Sequence, residues 1–160
     1  MPVTFESAVE FILQHEGGFV DDVHDPGRTT KFGISQRAYP NLDIRSLTKE
    51  QALHLYRKDY WERCSCDKLP PALALVLFDA AINQGPSAAI RMMQTALGVR
   101  ADGVIGSKTI EAAQQTGAKG ITEFVARRMN NYGLHPSFSR YGLGWSRRLA
   151  QCHQLALEAL

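Results

Sequence analysis

Between Pro70 and Gly85 the chain carries the segment that most limits how the whole can fold. Leu73, Val76, Leu77, Ala80 and Ala81 recur at helical spacing and leave almost no polar face. Pro70-Pro71 suits a helix start, and Asn83-Gln84-Gly85 suits its end. A helix that is apolar nearly all round has to lie in the interior, so the segment predicts a central core helix with the other elements packed about it. It is no membrane span, because the apolar run from Ala72 to Ile82 is interrupted by Asp79 and followed by a polar turn. With 160 residues, 44% of them hydrophobic, the chain can bury one core as a single domain or two closely packed lobes.

The remaining pattern is also helical. Thr48-Lys-Glu-Gln51 is a capping box that opens a helix running to about Trp61, with Ala52, Leu55 and Tyr56 turned inward. Ser87 is expected to cap the helix that Gly98 ends. Further helices are predicted over 107–115 and 122–132, and from Pro136 or later to Ala159, the last interrupted around Gly142 to Gly144. At the N-terminus Phe5, Ala8, Val9, Ile12 and Leu13 mark one helical face, which Gly17-Gly18 stops. The segment Phe19 to Ser35 mixes β-branched and aromatic residues with a Pro-Gly turn signal and reads as a short hairpin. The fold class is thus mainly α (α+β), a helical body with a small β-hairpin.

Glu16 falls where the first helix runs out. A carboxylate there feels the negative end of the helix dipole, which disfavours its charged form and suits a general acid; a solvated Glu beside a glycine cap is the ordinary alternative. The hairpin would return Asp25 toward Glu16, giving the two carboxyl groups that glycoside hydrolysis uses. In Asp25-Pro-Gly, however, an Asp can equally serve the turn through its own side chain, and Asp21 and Asp22 are rival carboxylates.

In order along the chain, Glu16-Gly-Gly-Phe19, Asp25-Pro-Gly27, Thr30 with Gly33-Ile34, Phe78-Asp-Ala-Ala-Ile-Asn-Gln-Gly85, and Gly144-Trp145 with Arg147 resemble glycoside hydrolase family 108, the N-acetylmuramidases. Phage-type lysozymes are similar in part: Asp25 stands nine residues after Glu16, but Lys31 holds the place of their Thr, with Thr30 beside it. Residues 89 to 113, through Met93-Gln94, Ala96-Leu-Gly-Val99, Asp102-Gly-Val-Ile-Gly106 and Thr109, resemble small peptidoglycan-binding modules, in which this segment is helix, turn, helix.

The resemblance implies a lysozyme-like fold, with a catalytic half over 1–86 and a peptidoglycan-binding-like helical half over 87–160, packed as one body. It also implies cleavage of the β-1,4 bond from N-acetylmuramic acid to N-acetylglucosamine, with Glu16 as acid and Asp25 as second carboxylate. Thr30 would hydrogen-bond water or substrate, although one residue of slip in the strand would present Lys31 instead. Asn83 and Gln84 offer amides for sugar N-acetyl or hydroxyl groups. Trp145 is the first choice among the aromatics for stacking on a sugar, ahead of Tyr39, Trp61 and Tyr132, with packing as the alternative for each. A lytic transglycosylase acting on the same bond and a non-catalytic peptidoglycan-binding or secretion-accessory protein are the competing readings.

The net charge is only +2, yet Lys119, Arg127, Arg128, Arg140, Arg147 and Arg148 face a single acid, Glu123, between 119 and 153. A basic lobe of this kind favours the anionic wall polymer, while a solvated face without a ligand is the plainer account of most of these arginines. No nucleic-acid motif accompanies them. Cys64-Ser-Cys66 is too closely spaced for a zinc knuckle, and no paired His motif completes a site, so neither metal nor cofactor is expected. Free thiols are expected, with a bridge to Cys152 left to geometry. No signal peptide is visible. The expectation is a monomer without stable membrane insertion, held in the cytoplasm until a separate holin or secretion system releases it to the periplasm or wall.

Overall fold

The structure is a computed structural model, and it describes residues 3–16 and 29–160. Among these, seven α-helices accompany one two-stranded antiparallel sheet: α1 (Phe5–Glu16), β1 (Thr30–Lys31), β2 (Ile34–Ser35), α2 (Lys49–Tyr56), α3 (Pro71–Gln84), α4 (Pro86–Ala96), α5 (Ser107–Gln114), α6 (Ala118–Gly133) and α7 (Phe138–Glu158). The predicted core helix is α3. Its ten residues from Ala72 to Ala81 are all buried, and it packs against α1, α4, α6 and α7. Pro71 occupies its first turn, where a missing N–H costs nothing, and Gly85 at φ +88° lets the chain leave.

Helix α2 opens on the expected capping box, with Thr48 accepting from the Gln51 N–H and Gln51 accepting from the Thr48 N–H. It runs without a break into a π-helical segment, Arg57–Glu62. Wider winding brings residues five apart into line. Tyr56 and Trp61 can therefore both be buried, and both set ring edges against Phe78 of α3. Phe5 of α1 closes the same aromatic cluster.

Two expectations are corrected. Helix α4 starts one residue before Ser87, with Gly85 at its N-cap and Pro86 in its first turn, so Ser87 caps nothing. Helix α7 is continuous through Gly142 and Gly144. Each glycine costs about 1 kcal/mol in a helix interior, but the buried stripe of Arg148, Leu149, Cys152 and Ala156 packs α7 on α3 and α6 and carries it through. Gly142 itself faces the Phe138 ring, where a Cβ would come within 2.8 Å.

The helix, turn, helix predicted near residues 89 to 113 is α4 and α5. Gly98 at φ +73° ends α4 in a Schellman arrangement, Gly98 N–H to Thr95 O and Val99 N–H to Gln94 O. The buried Gln94 amide then organises the turn, reaching Asp102, the Val104 carbonyl and Thr109 while accepting from the Gly103 N–H.

Cys64, Cys66 and Cys152 are free and buried. Burial pushes all three thiols up, Cys64 to about 11. All three are expected to resist an aromatic disulfide reagent at pH 8 in the native protein and to react together in denaturant, as titration of released thiolate would record.

Candidate active site

Glu16 is the last residue of α1, and its side chain is 25% exposed. Among the described residues, three neighbours fix its place. The hairpin joins β1 to β2 through Phe32 and Gly33, both at positive φ (51° and 75°), as a two-residue mirror-image turn requires. Gly33 sits so close that a Cβ there would lie 2.8 Å from Cβ and Cγ of Glu16 and would collide with the Tyr56 hydroxyl. Tyr56, from α2, donates that hydroxyl to the Phe32 carbonyl at 2.8 Å and so braces the turn. Burial, and after it the charge of Glu16, push the Tyr56 phenol up.

The third neighbour is Arg148 of α7, whose Nη1 donates to Glu16 Oε1 at 2.5 Å. The same guanidinium donates Nε to Oδ1 of Asp79 at 2.8 Å. Asp79 is the lone acid of the core helix and has no exposure to solvent. Its other oxygen accepts from Nη2 of the equally buried Arg128 at 2.7 Å. Desolvation pushes the Asp79 carboxyl up, but the charges of Arg128 and Arg148 and their hydrogen bonds outweigh it and hold it below the usual carboxylate range. Four helices thus meet in one hydrogen-bonded cluster: Glu16 from α1, Asp79 from α3, Arg128 from α6 and Arg148 from α7. A second link ties α1 to α7, since His15 is hydrogen-bonded to the Gln151 side chain at 2.7 Å.

The remaining residues singled out from the sequence fall around this cluster in different ways. Asn83 donates to the Asp79 carbonyl at 2.8 Å and to Asp79 Oδ1 at 3.4 Å. Gln84 accepts from Arg128 Nε and donates to the Arg128 carbonyl and to Asn131. Both amides therefore support the buried cluster from behind. Thr30 and Lys31 lie on β1 opposite Ser35 and Ile34, and the Lys31 ammonium donates to the Arg45 carbonyl at 2.9 Å. Trp145, two turns into α7, stacks on Tyr132 of α6 with ring centroids 5.2 Å apart and is half-buried among His135, Phe138 and Tyr141. Asp25, with Asp21, Asp22 and the glycine stop at Gly17-Gly18, lies outside the described residues.

Arg128 and Arg148, counted above with the basic lobe, are interior residues, 0% and 8% exposed. The signal was available. Arg128 falls in the apolar stripe Ile121, Phe124, Val125, Arg128, Tyr132 of α6, and an acid inside an apolar helix needs a cation.

Residues 9–85 match the family described as Glycosyl hydrolase 108. The solved structure of Brucella abortus SagA superposes with a TM-score of 0.87 at 33% identity, over 96% of this chain and 94% of that one. The chain belongs to the glycosyl hydrolase 108 family. Its fold is lysozyme-like. Residues 88–134 match a second description, Predicted Peptidoglycan domain. Comparison with curated proteins returned no match. A family-108 glycoside hydrolase with an attached peptidoglycan domain fits a role in hydrolysing or binding peptidoglycan.

Two outcomes are expected from this geometry. Gly33→Ala should lower stability by about 1–3 kcal/mol through strain at a positive φ, and its Cβ should push on Glu16 and reduce wall degradation further than the stability loss accounts for. Denaturant titration beside an activity assay checks both. Asp79 has a depressed folded value, so its contribution is complete above the unfolded value of about 3.9 and is lost as pH falls through the lower folded value. Melting temperature should accordingly drop below about pH 4 in the wild type, and Asp79→Asn should flatten that acid dependence.

Proposed function

We propose that this family-108 protein is an N-acetylmuramidase that hydrolyses the β-1,4 bond between N-acetylmuramic acid and N-acetylglucosamine, with Glu16 as general acid. The observation that supports this reading is the posture of Glu16. A partly exposed carboxylic side chain, gripped by Arg148 and walled by the Gly33 turn, can meet a glycosidic oxygen from the solvent side. Glu16 would give its proton to the departing sugar oxygen as positive charge builds on the ring. Asp25 is the second carboxylate in this reading, either activating water or stabilising that charge, and Thr30 is a hydrogen-bonding partner for the water or the sugar. Trp145 and Lys31 are assigned to the glycan strand, and Asn83 and Gln84 to the support of the site. The protein would meet its substrate in the periplasm or wall, after release through a separate pore or secretion system.

The test is mass spectrometry of soluble fragments from purified peptidoglycan after borohydride reduction, with wild type and Glu16→Gln. Reduced muramic acid ends from the wild type, and a loss of at least about a hundredfold in the mutant, are expected. Anhydro-muramic ends would make the enzyme a lytic transglycosylase, and no fragments from either protein would leave a binding role. Asp25→Asn should cost less than Glu16→Gln. If it is silent while Asp22→Asn abolishes turnover, the second carboxylate is Asp22. Following the anomeric configuration of the first product by NMR separates retention from inversion.

A further inference from the structure

We propose that Arg148 is the positioning residue for Glu16, and that Asp79 and Arg128 act on the reaction only by fixing Arg148. The inference rests on the reading of Glu16 as the acid.

A guanidinium is a rigid plane. Once its Nε is bound to Asp79 Oδ1, the direction of its Nη1 is set, and that direction ends on Glu16 Oε1. Asp79 cannot turn to release it. Its Oδ2 is bound to Arg128, and its Oδ1 also accepts from Asn83. Arg128 in turn is tied to Gln84, to the Val76 carbonyl and to the Tyr132 hydroxyl. Every tether ends on helix α3 or α6, so the pose of Arg148 is referred to the core of the protein.

Stability alone does not account for such a cluster. Well-packed apolar residues in place of a buried ion network are often neutral or stabilising. Here one donor is left over as well, because Arg148 Nη2 is buried and, among the described residues, has no hydrogen-bond partner. That unmet donor is a cost, and the arrangement that incurs it aims Nη1 at the carboxyl group that ends α1 and reaches solvent. Among the described residues, the other groups against Glu16 offer no comparable tether. Gly33 gives only a wall, and Tyr56 spends its hydroxyl on the Phe32 carbonyl. Holding a glutamate with three side-chain torsions in one pose before the sugar arrives removes an ordering cost from the reaction step.

The experiment is steady-state release of reducing ends from peptidoglycan by Arg148→Met, Arg148→Lys, Asp79→Asn and the Arg148→Met/Asp79→Asn double variant. Near-ultraviolet circular dichroism is read alongside. Arg148→Met should lower apparent kcat about a hundredfold, the cost of a misplaced catalytic group, with apparent KM within about threefold and an altered pH–rate profile. Arg148→Lys keeps the interior charge opposite Asp79 and so keeps the fold, but one ammonium cannot span both carboxylates; kcat should fall about tenfold or more. Asp79→Asn should also lower kcat, yet add nothing in the Arg148→Met background, because a residue acting only through Arg148 has no further effect once it is gone. Native-like spectra with kcat retained in Arg148→Met, or independent losses that multiply in the double variant, overturn the proposal. Should Arg148→Met fail to fold, Arg148→Lys decides: unchanged kcat refutes the role. A Glu16→Gln protein that still turns over removes the reading of the acid itself, a failure distinguishable from wild-type-like Arg148 variants beside an inactive Glu16→Gln.

Discussion

A carboxylate without access to water sets the terms for this fold. Asp79 sits in the middle of a helix whose ten central residues are all buried. An isolated charge at such a place would cost far more than a domain's whole margin of stability. It is tolerable only because two guanidiniums arrive from helices much later in the chain, Arg128 from α6 and Arg148 from α7. The packing of α3, α6 and α7 is therefore specified by charge as well as by shape. Hydrophobic helices can slide or rotate against one another at small cost, whereas a carboxylate shared between two arginines has one satisfactory geometry.

The cluster also changes how the two halves of the chain relate. The segments matching the glycosyl hydrolase 108 and peptidoglycan descriptions end at residues 85 and 134, yet the side chain that grips Glu16 is Arg148, beyond both. The α4–α5 turn, organised by Gln94, has its own local logic. Helices α6 and α7, in contrast, complete the first half from below. A division near residue 86 describes the order of the sequence better than it describes the site.

Much of the architecture was legible in the sequence because it is written locally. The proline start of α3, the capping box of α2, the glycine end of α4 and most of the stripe of α1 rest on neighbouring residues and are as expected, although Phe11 is buried where Leu13 is only half-buried. The misreadings have different causes. At α4 a second local signal outranks Ser87, since Pro86 suits the first helical turn and starts the helix one residue earlier. The glycines of α7 are overruled by tertiary packing. The arginines were counted as surface charge because composition does not say where a cation points. Glu16 stood out through its position at a helix end, and Gly33 through its motif. The link from Glu16 to Arg148 and Asp79 spans 132 and 69 residues in its two steps, and no periodic pattern reports contacts at that range.

That separation has a consequence in time. During synthesis α1 and its glutamate emerge early, and the central helix with its acid follows. Until residue 148 has left the ribosome, Glu16 lacks its ion-pair partner, and Asp79 has at most one of its two arginines. The four-helix junction accordingly cannot be completed before the segment carrying Arg148 has emerged. The setting of Glu16 is thereby tied to how much of the chain has already been made.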